Sequence, residues 1–203
     1  MRTGGAKTRP SNLPLELTSF VGRRQELREV KRLLTTTRLL TLIGSGGAGK
    51  TRLALRAAGE IARGFPDGAW FVPLGSIQDP LLVSQAVFNA LGANDQSASW
   101  SLSTLTDYLA GKRLLLVLDN CEHLLDACAI LTSTLLKGCP DLRLLATSRQ
   151  ALGVAGEVRM PIPPMSLPTE GDEAVPDRLM NSEAVRLLSE RAAAVVPGFT
   201  VNT

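Results

Sequence analysis

The sequence predicts an α/β fold, a five-stranded and mainly parallel sheet between two layers of helices, and three observations carry that reading. Short apolar runs alternate with stretches whose apolar residues recur at helical spacing, the pattern of β-α units. One run, Arg113-Leu114-Leu115-Leu116-Val117-Leu118-Asp119, is so apolar that a strand made from it must be buried on both faces. Between the first run and the helical stretch after it stands Gly44-Ser45-Gly46-Gly47-Ala48-Gly49-Lys50-Thr51, which satisfies the pattern G-x-x-x-x-G-K-[ST] at every fixed position.

Residues 1–14 contain Gly, Pro and Ser without periodicity and read as a flexible tail, and residues 15–163 read as the core. Gln25 to Thr35 is a helix with Leu27, Val30, Leu33 and Leu34 on one face, and Arg38 to Ile43 is the first strand. After the glycine loop, Leu53, Ala54, Ala57, Ala58 and Ile61 mark a second helix, and Gly68 to Leu74 is the second strand. Asp79 reads as an N-cap with Pro80 in the first turn and Gly92 as a stop, so Pro80 to Leu91 is predicted helical. Residues 93–100 read as a surface loop, after which Ser101 or Ser103 caps a short helix ending near Gly111. The third strand, 113–119, precedes a helix from about Glu122 to Lys137 with Leu124, Cys128, Leu131 and Leu135 inward. Leu142 to Thr147 and Val158 to Ile162 complete the sheet. Residues 164–180 form a Pro- and acid-rich connector. In the last segment, 181–203, Asn181 or Ser182 caps a helix whose apolar set is Ala184, Val185, Leu188 and Ala192.

The glycine loop points to a polyphosphate. Glycines let successive backbone N–H groups turn inward as an anion-binding nest, and the following helix adds its positive N-terminal end. Lys50 is expected to reach the β- and γ-phosphates, and the Thr51 hydroxyl to ligate Mg²⁺. Gly44, Ser45, Gly46, Gly47, Ala48, Gly49 and Arg52 complete the expected phosphate site. A P-loop NTPase of this kind is expected to order its strands 5-1-4-3-2, with the ligand at their carboxyl ends.

Asp119, at the end of the most apolar strand, fits the second acid of such a site, holding Mg²⁺ beside Thr51; the alternative is a cap for the helix near Glu122. Asn120 follows where many hydrolytic relatives of the loop carry a further acid. An amide orients water but cannot accept its proton, so slow turnover is expected, with Glu122 a substitute base through a water. Arg149 ends the fourth strand beside the expected loop position and reads either as a reporter on the γ-phosphate or as an ordinary surface arginine. Arg56 reads as a solvated position on the second helix.

Composition excludes several classes. A net charge of +3, with 22 basic and 19 acidic residues intermixed, lacks the clustering of a nucleic-acid surface. No apolar run approaches the roughly 18 residues that span a bilayer, and Met1 to Pro10 lacks the apolar core of a signal peptide. The three cysteines, Cys121, Cys128 and Cys139, and the single histidine, His123, lack metal-ligand spacing and fit a reducing cytoplasm.

With Phe20-Val21-Gly22-Arg23-Arg24, GSGGAGKT at 44–51, LLLVLDNCEH at 114–123 and LLATSR at 144–149 in this order, the chain resembles a known group. It is similar to the nucleotide-binding domain of bacterial STAND-type regulatory ATPases, the NB-ARC-like module of AfsR- and LuxR-type transcriptional regulators, over residues 13–195. The resemblance implies ATP or ADP with Mg²⁺ as the cofactor, Val21, Gly22 and Arg23 over adenine and ribose, and the helix after Ser182 as the start of a helical lid. That family's Gly-Leu-Pro-Leu-type lid motif, winged-helix segment, repeat-rich sensor and DNA-binding helix-turn-helix have no counterpart before Thr203, so an incomplete lid is expected.

The leading expectation is therefore a regulatory ATPase domain acting as a nucleotide switch in signal transduction or transcription regulation. A nucleotide holder without turnover is the alternative, and a small-molecule kinase a third. Expected partners are an adenine nucleotide and either a second copy or a regulatory protein, with no direct DNA or membrane contact.

Overall fold

Strands β1 (Leu39–Ile43), β2 (Ala69–Pro73), β3 (Leu115–Asp119), β4 (Arg143–Ser148) and β5 (Glu157–Pro161) form one sheet in the order β2-β3-β4-β1-β5. Every neighbouring pair is parallel. Counted from the β5 edge this is the 5-1-4-3-2 order that the sequence predicts. The computed structural model describes residues 10–93, 101–169, 176–196 and 198–200. Its helices are α1 (Arg24–Thr36), α2 (Lys50–Ile61), α3 (Val83–Ala90), α4 (Leu102–Leu109), α5 (Leu125–Gly138), α6 (Pro176–Leu179) and α7 (Glu183–Val195).

The period-2 alternation of each strand divides the core in two. Leu39, Leu116, Leu118 and Leu144 face one way and pack with α3, α4 and α5 through Val87, Leu105, Leu131 and Leu135. Leu40, Leu42, Leu115, Val117 and Leu145 face the other way and pack with Val30 and Leu34 of α1 and Leu53 and Ala57 of α2. Since helices cover both faces, β3 is buried at all five positions, which is why its sequence is an unbroken apolar run.

Local chemistry moves several predicted boundaries. Asp79 caps as expected, accepting the Leu81 N–H at 2.9 Å, but Pro80–Leu82 form a 3-10 turn and α3 starts at Val83. The helix predicted from Glu122 starts at Leu125. Asn120 is left-handed (φ 62°), Cys121–His123 make a separate 3-10 turn, and Leu124 (φ −126°) interrupts the helical run. Ser101 and Ser182 are the caps of α4 and α7. The tail expected over 1–14 is anchored at its end: Ser11 bridges Ala69, and the Asn12 amide accepts from the Phe71 N–H (2.6 Å) and donates to its carbonyl (2.9 Å), covering the β2 edge. Of the loop expected over 93–100, only Ala93 lies within the described residues. All three cysteines are buried and free. Among the described residues no helix is long and apolar enough to cross a membrane.

Leu116, fully buried between the layers, and Leu81, 85% exposed, give a direct test of this core. Leu116→Ala is expected to lose about 2–5 kcal/mol in urea denaturation, and Leu81→Ala to stay within about 0.5 kcal/mol of the parent.

Candidate functional site

The root of the glycine loop is pinned between two strands. The Gly44 N–H donates to the Ser148 carbonyl at 3.3 Å and the Ile162 N–H to the Ile43 carbonyl at 2.6 Å. A Cβ on Gly44 would stand 2.6 Å from the Ile162 oxygen, so no larger residue fits there. Gly47 and Gly49 are left-handed (φ 77° and 83°), with open space where a Cβ would project. Gly49 is also the N-cap of α2 and offers its first-turn N–H groups no side-chain acceptor. Those donors, and the helix's positive end, are arranged for an anion. Lys50 is nearly buried, and its Nζ donates to the Gly44 and Ser45 carbonyls, both at 2.9 Å.

Beside the loop, Asp119 Oδ1 accepts two hydroxyls, from Thr51 at 2.7 Å and from Thr147 at 2.6 Å. Thr147 Oγ1 in turn accepts the Asn120 N–H at 3.0 Å. Asp119 therefore does not cap the following turn, and among the described residues its Oδ2 has no protein partner. A hydroxyl and a carboxylate are hard oxygen donors of the kind Mg²⁺ takes, and the residues present fit that ion. A hydrogen bond with Cys128, then burial, push the Cys121 thiol well above the usual range.

The expected catalytic groups divide. Asn120 is exposed and its amide lies beside Gly75, at the β2 side of the site. Glu122 sits in the 3-10 turn instead of a helical first turn, and its Oε1 is 3.2 Å from the Arg149 Nε. The Arg149 guanidinium flanks the loop, with Nη2 3.6 Å from the place a Gly46 Cβ would take.

A cavity of about 440 Å³ opens from the loop. Phe20, Val21, Met165, Leu167, Ala184 and Leu187 wall it, and Ser45 to Gly49 close one end. An apolar chamber beside a phosphate cradle suits a nucleobase. Of the three residues expected over the base and sugar, Val21 and Arg23 line this chamber, whereas Gly22 does not. Arg23 is buried and left-handed (φ 56°). Its guanidinium donates to the carbonyls of Ala48 (3.0 Å) and Pro163 (2.6 Å) and to Glu26 Oε1 (2.8 Å). Its backbone N–H donates to Glu183 Oε1 at 2.7 Å. A Cβ on Gly22 would meet that carboxylate at 2.7 Å. Arg52 lines the chamber but spends its guanidinium on the Thr18 carbonyl (2.7 Å), the Thr18 hydroxyl (2.9 Å) and the Ser19 carbonyl. Arg56, expected to be solvated, pairs with Glu16 (2.8 Å) and Glu60 (2.9 Å) and lies over the Phe20 ring.

Thr147, Met165, Leu167, Leu187 and Glu183 escaped the sequence reading. The Thr147-Ser148-Arg149 strand end carried a signal for the first; the others depend on how the connector and α7 fold back. The apolar face of α7 keeps Ala184 of its predicted set but takes Leu187 in place of Leu188. Leu188 is 67% exposed, while Ala184 and Leu187 turn to the chamber.

The family model of the NB-ARC domain matches residues 23–169. An uncharacterized protein of Mycobacterium tuberculosis is 43% identical over 186 residues, covering 92% of this chain and 44% of that protein. The regulatory protein AfsR of Streptomyces griseus is 31% identical over 202 residues, covering 93% of this chain and 20% of that protein. This chain thus spans less than half the length of either relative. Among solved structures, the signal transduction ATPase with numerous domains (STAND) from Pyrococcus horikoshii, which carries a tetratricopeptide repeat sensor, superposes with a TM-score of 0.52 at 17% identity. That match covers 88% of this chain and 28% of that one.

Thr147→Val removes one donor to a buried carboxylate and the acceptor of the Asn120 N–H. Denaturation is expected to show a loss of about 1–3 kcal/mol, largely restored in Thr147→Ser, which keeps the hydroxyl.

Proposed function

Because this chain belongs to the NB-ARC domain family, we propose that it is the nucleotide-binding element of a regulatory ATPase, binding ATP or ADP with Mg²⁺ and turning ATP over slowly. The carrying observation is a convergence at one place: a glycine cradle ending on an uncapped helix, the Thr51–Asp119 contact, and the apolar chamber next to them. In this reading the loop's N–H groups hold the phosphates. Lys50 exchanges the carbonyls of Gly44 and Ser45 for phosphate oxygens. Thr51 and Asp119 hold Mg²⁺, which when bound neutralises charge on the β- and γ-phosphates. Val21, Met165 and Leu187 contact the base, and Arg149 reports on the γ-phosphate from its place beside Gly46.

Slow turnover follows from the residues after Asp119. Asn120 cannot accept a proton and its amide lies beside Gly75, which leaves Glu122, paired with Arg149, as the carboxylate not already engaged by Thr51 and Thr147. The same observation favours the second reading, a nucleotide holder without turnover. In either case two nucleotide states with different affinities for two arrangements of α7 bias one against the other. The regulatory role, a cytoplasmic site of action, and association with a second copy or a partner protein belong to this proposal.

Two measurements test it. Calorimetry with Mg²⁺ and ATP, ADP or GTP is expected to show adenine-nucleotide binding in the parent and a loss of at least about tenfold in Lys50→Ala; absence of affinity for every nucleotide in the parent sinks the reading. Single-turnover phosphate release is expected to be slow in the parent and slower in Glu122→Gln, whereas equal background release from both supports the holder.

A further inference from the structure

Resting on that nucleotide reading, we infer that Glu122 sets the preference between nucleoside tri- and diphosphates, by competing with a terminal phosphate for the guanidinium of Arg149. The arrangement follows from the sheet. β3 and β4 are neighbours, so the turn after β3 and the residue after β4 lie side by side, and β1 with its glycine loop is the next strand. Arg149 stands between the two. Its Nε faces Glu122 Oε1 at 3.2 Å while its Nη2 lies against Gly46 of the loop.

The two partners differ in freedom. The Arg149 side chain is 67% exposed and can swing, whereas that of Glu122 is 19% exposed and rooted in the 3-10 turn. Glu122 Oε2 is buried without a hydrogen-bond partner among the described residues, so Arg149 is the one cation that compensates this carboxylate there. Turning the guanidinium fully toward a γ-phosphate strips the carboxylate of that compensation, and the loss subtracts from the affinity for a triphosphate. A diphosphate leaves the ion pair intact and carries no such cost. A partly exposed pair of this kind is worth a factor of about two to five in binding.

The test is calorimetry on the whole chain with Mg²⁺ and either ADP or the β,γ-imido analogue of ATP, which removes hydrolysis from the readout. Glu122→Gln is expected to bind the analogue about two- to fivefold more tightly with ADP affinity unchanged. Glu122→Ala, which has no carboxylate at all, should shift it the same way, which guards against a fault peculiar to the amide. Arg149→Gln is expected to weaken the analogue alone, and in that background Glu122→Gln should have no further effect. The inference is overturned if Glu122→Gln leaves the analogue-to-ADP ratio unchanged, or if its effect survives in the Arg149→Gln background. A normal ratio response to Arg149→Gln with none to Glu122→Gln overturns only the competition, while a parent that binds neither nucleotide overturns the underlying reading as well.

Discussion

The site is organised by one carboxylate oxygen. Asp119 Oδ1 takes the hydroxyls of Thr51 and Thr147 at once, and so joins the start of α2 to the ends of β3 and β4. A carboxylate that is 8% exposed needs such donors, because an unpaired charge at that depth is far costlier than the bonds are strong. The sheet register brings the partners to it. Leu118 pairs with Ala146, which sets Asp119 beside Thr147, and Leu42 pairs with Thr147, which sets the root of the glycine loop one strand further on. The burial that holds this register comes from Leu115, Leu116, Val117 and Leu118, none of them accessible to solvent. An apolar run with no function of its own therefore aims the polar atoms at its end.

Chain-local chemistry made the glycine loop and the Asp79 cap legible in the sequence, and the class of that loop carried the strand order and the approach of Asp119 to Thr51. The start of α5 was not, because the left-handed Asn120 and the break at Leu124 arise from the turn that leaves β3, and the helical spacing of Leu124, Cys128 and Leu131 runs on regardless. The anchoring of Ser11 and Asn12 along β2 was hidden for a related reason. Its partners lie far away in sequence, and an Asn in a Pro-containing segment signals a turn as readily as an edge contact.

Arginines were the hardest residues to place, and they share one physical reason. Arg23 and Arg52 both line the chamber as expected, but the Arg23 guanidinium is held by two carbonyls and Glu26, and that of Arg52 by Thr18 and Ser19. A guanidinium carries five donors in a fixed fork, so a buried one is stable only where several acceptors converge. Backbone carbonyls supply that convergence as well as phosphates do, and no sequence pattern distinguishes them.

The burial of Arg23 also couples parts of the chamber that are otherwise separate. Through one residue, the loop (Ala48 carbonyl), the segment after β5 (Pro163 carbonyl) and the first turn of α7 (Glu183 carboxylate) are tied together, and Arg191 of α7 adds a second tie at the Ser19 carbonyl, where Arg52 also binds. A ligand that draws Ala48 away must either carry Arg23 with it or leave a buried guanidinium short of an acceptor, and the second course is the costlier. Arg23 moved in this way shifts its own N–H, on which Glu183 rests, and only a glycine at 22 lets that carboxylate approach so closely. The first turn of α7 is thus linked to the phosphate loop through Arg23, and its later part to the segment before α1 through Arg191. Helix and loop also both line the chamber.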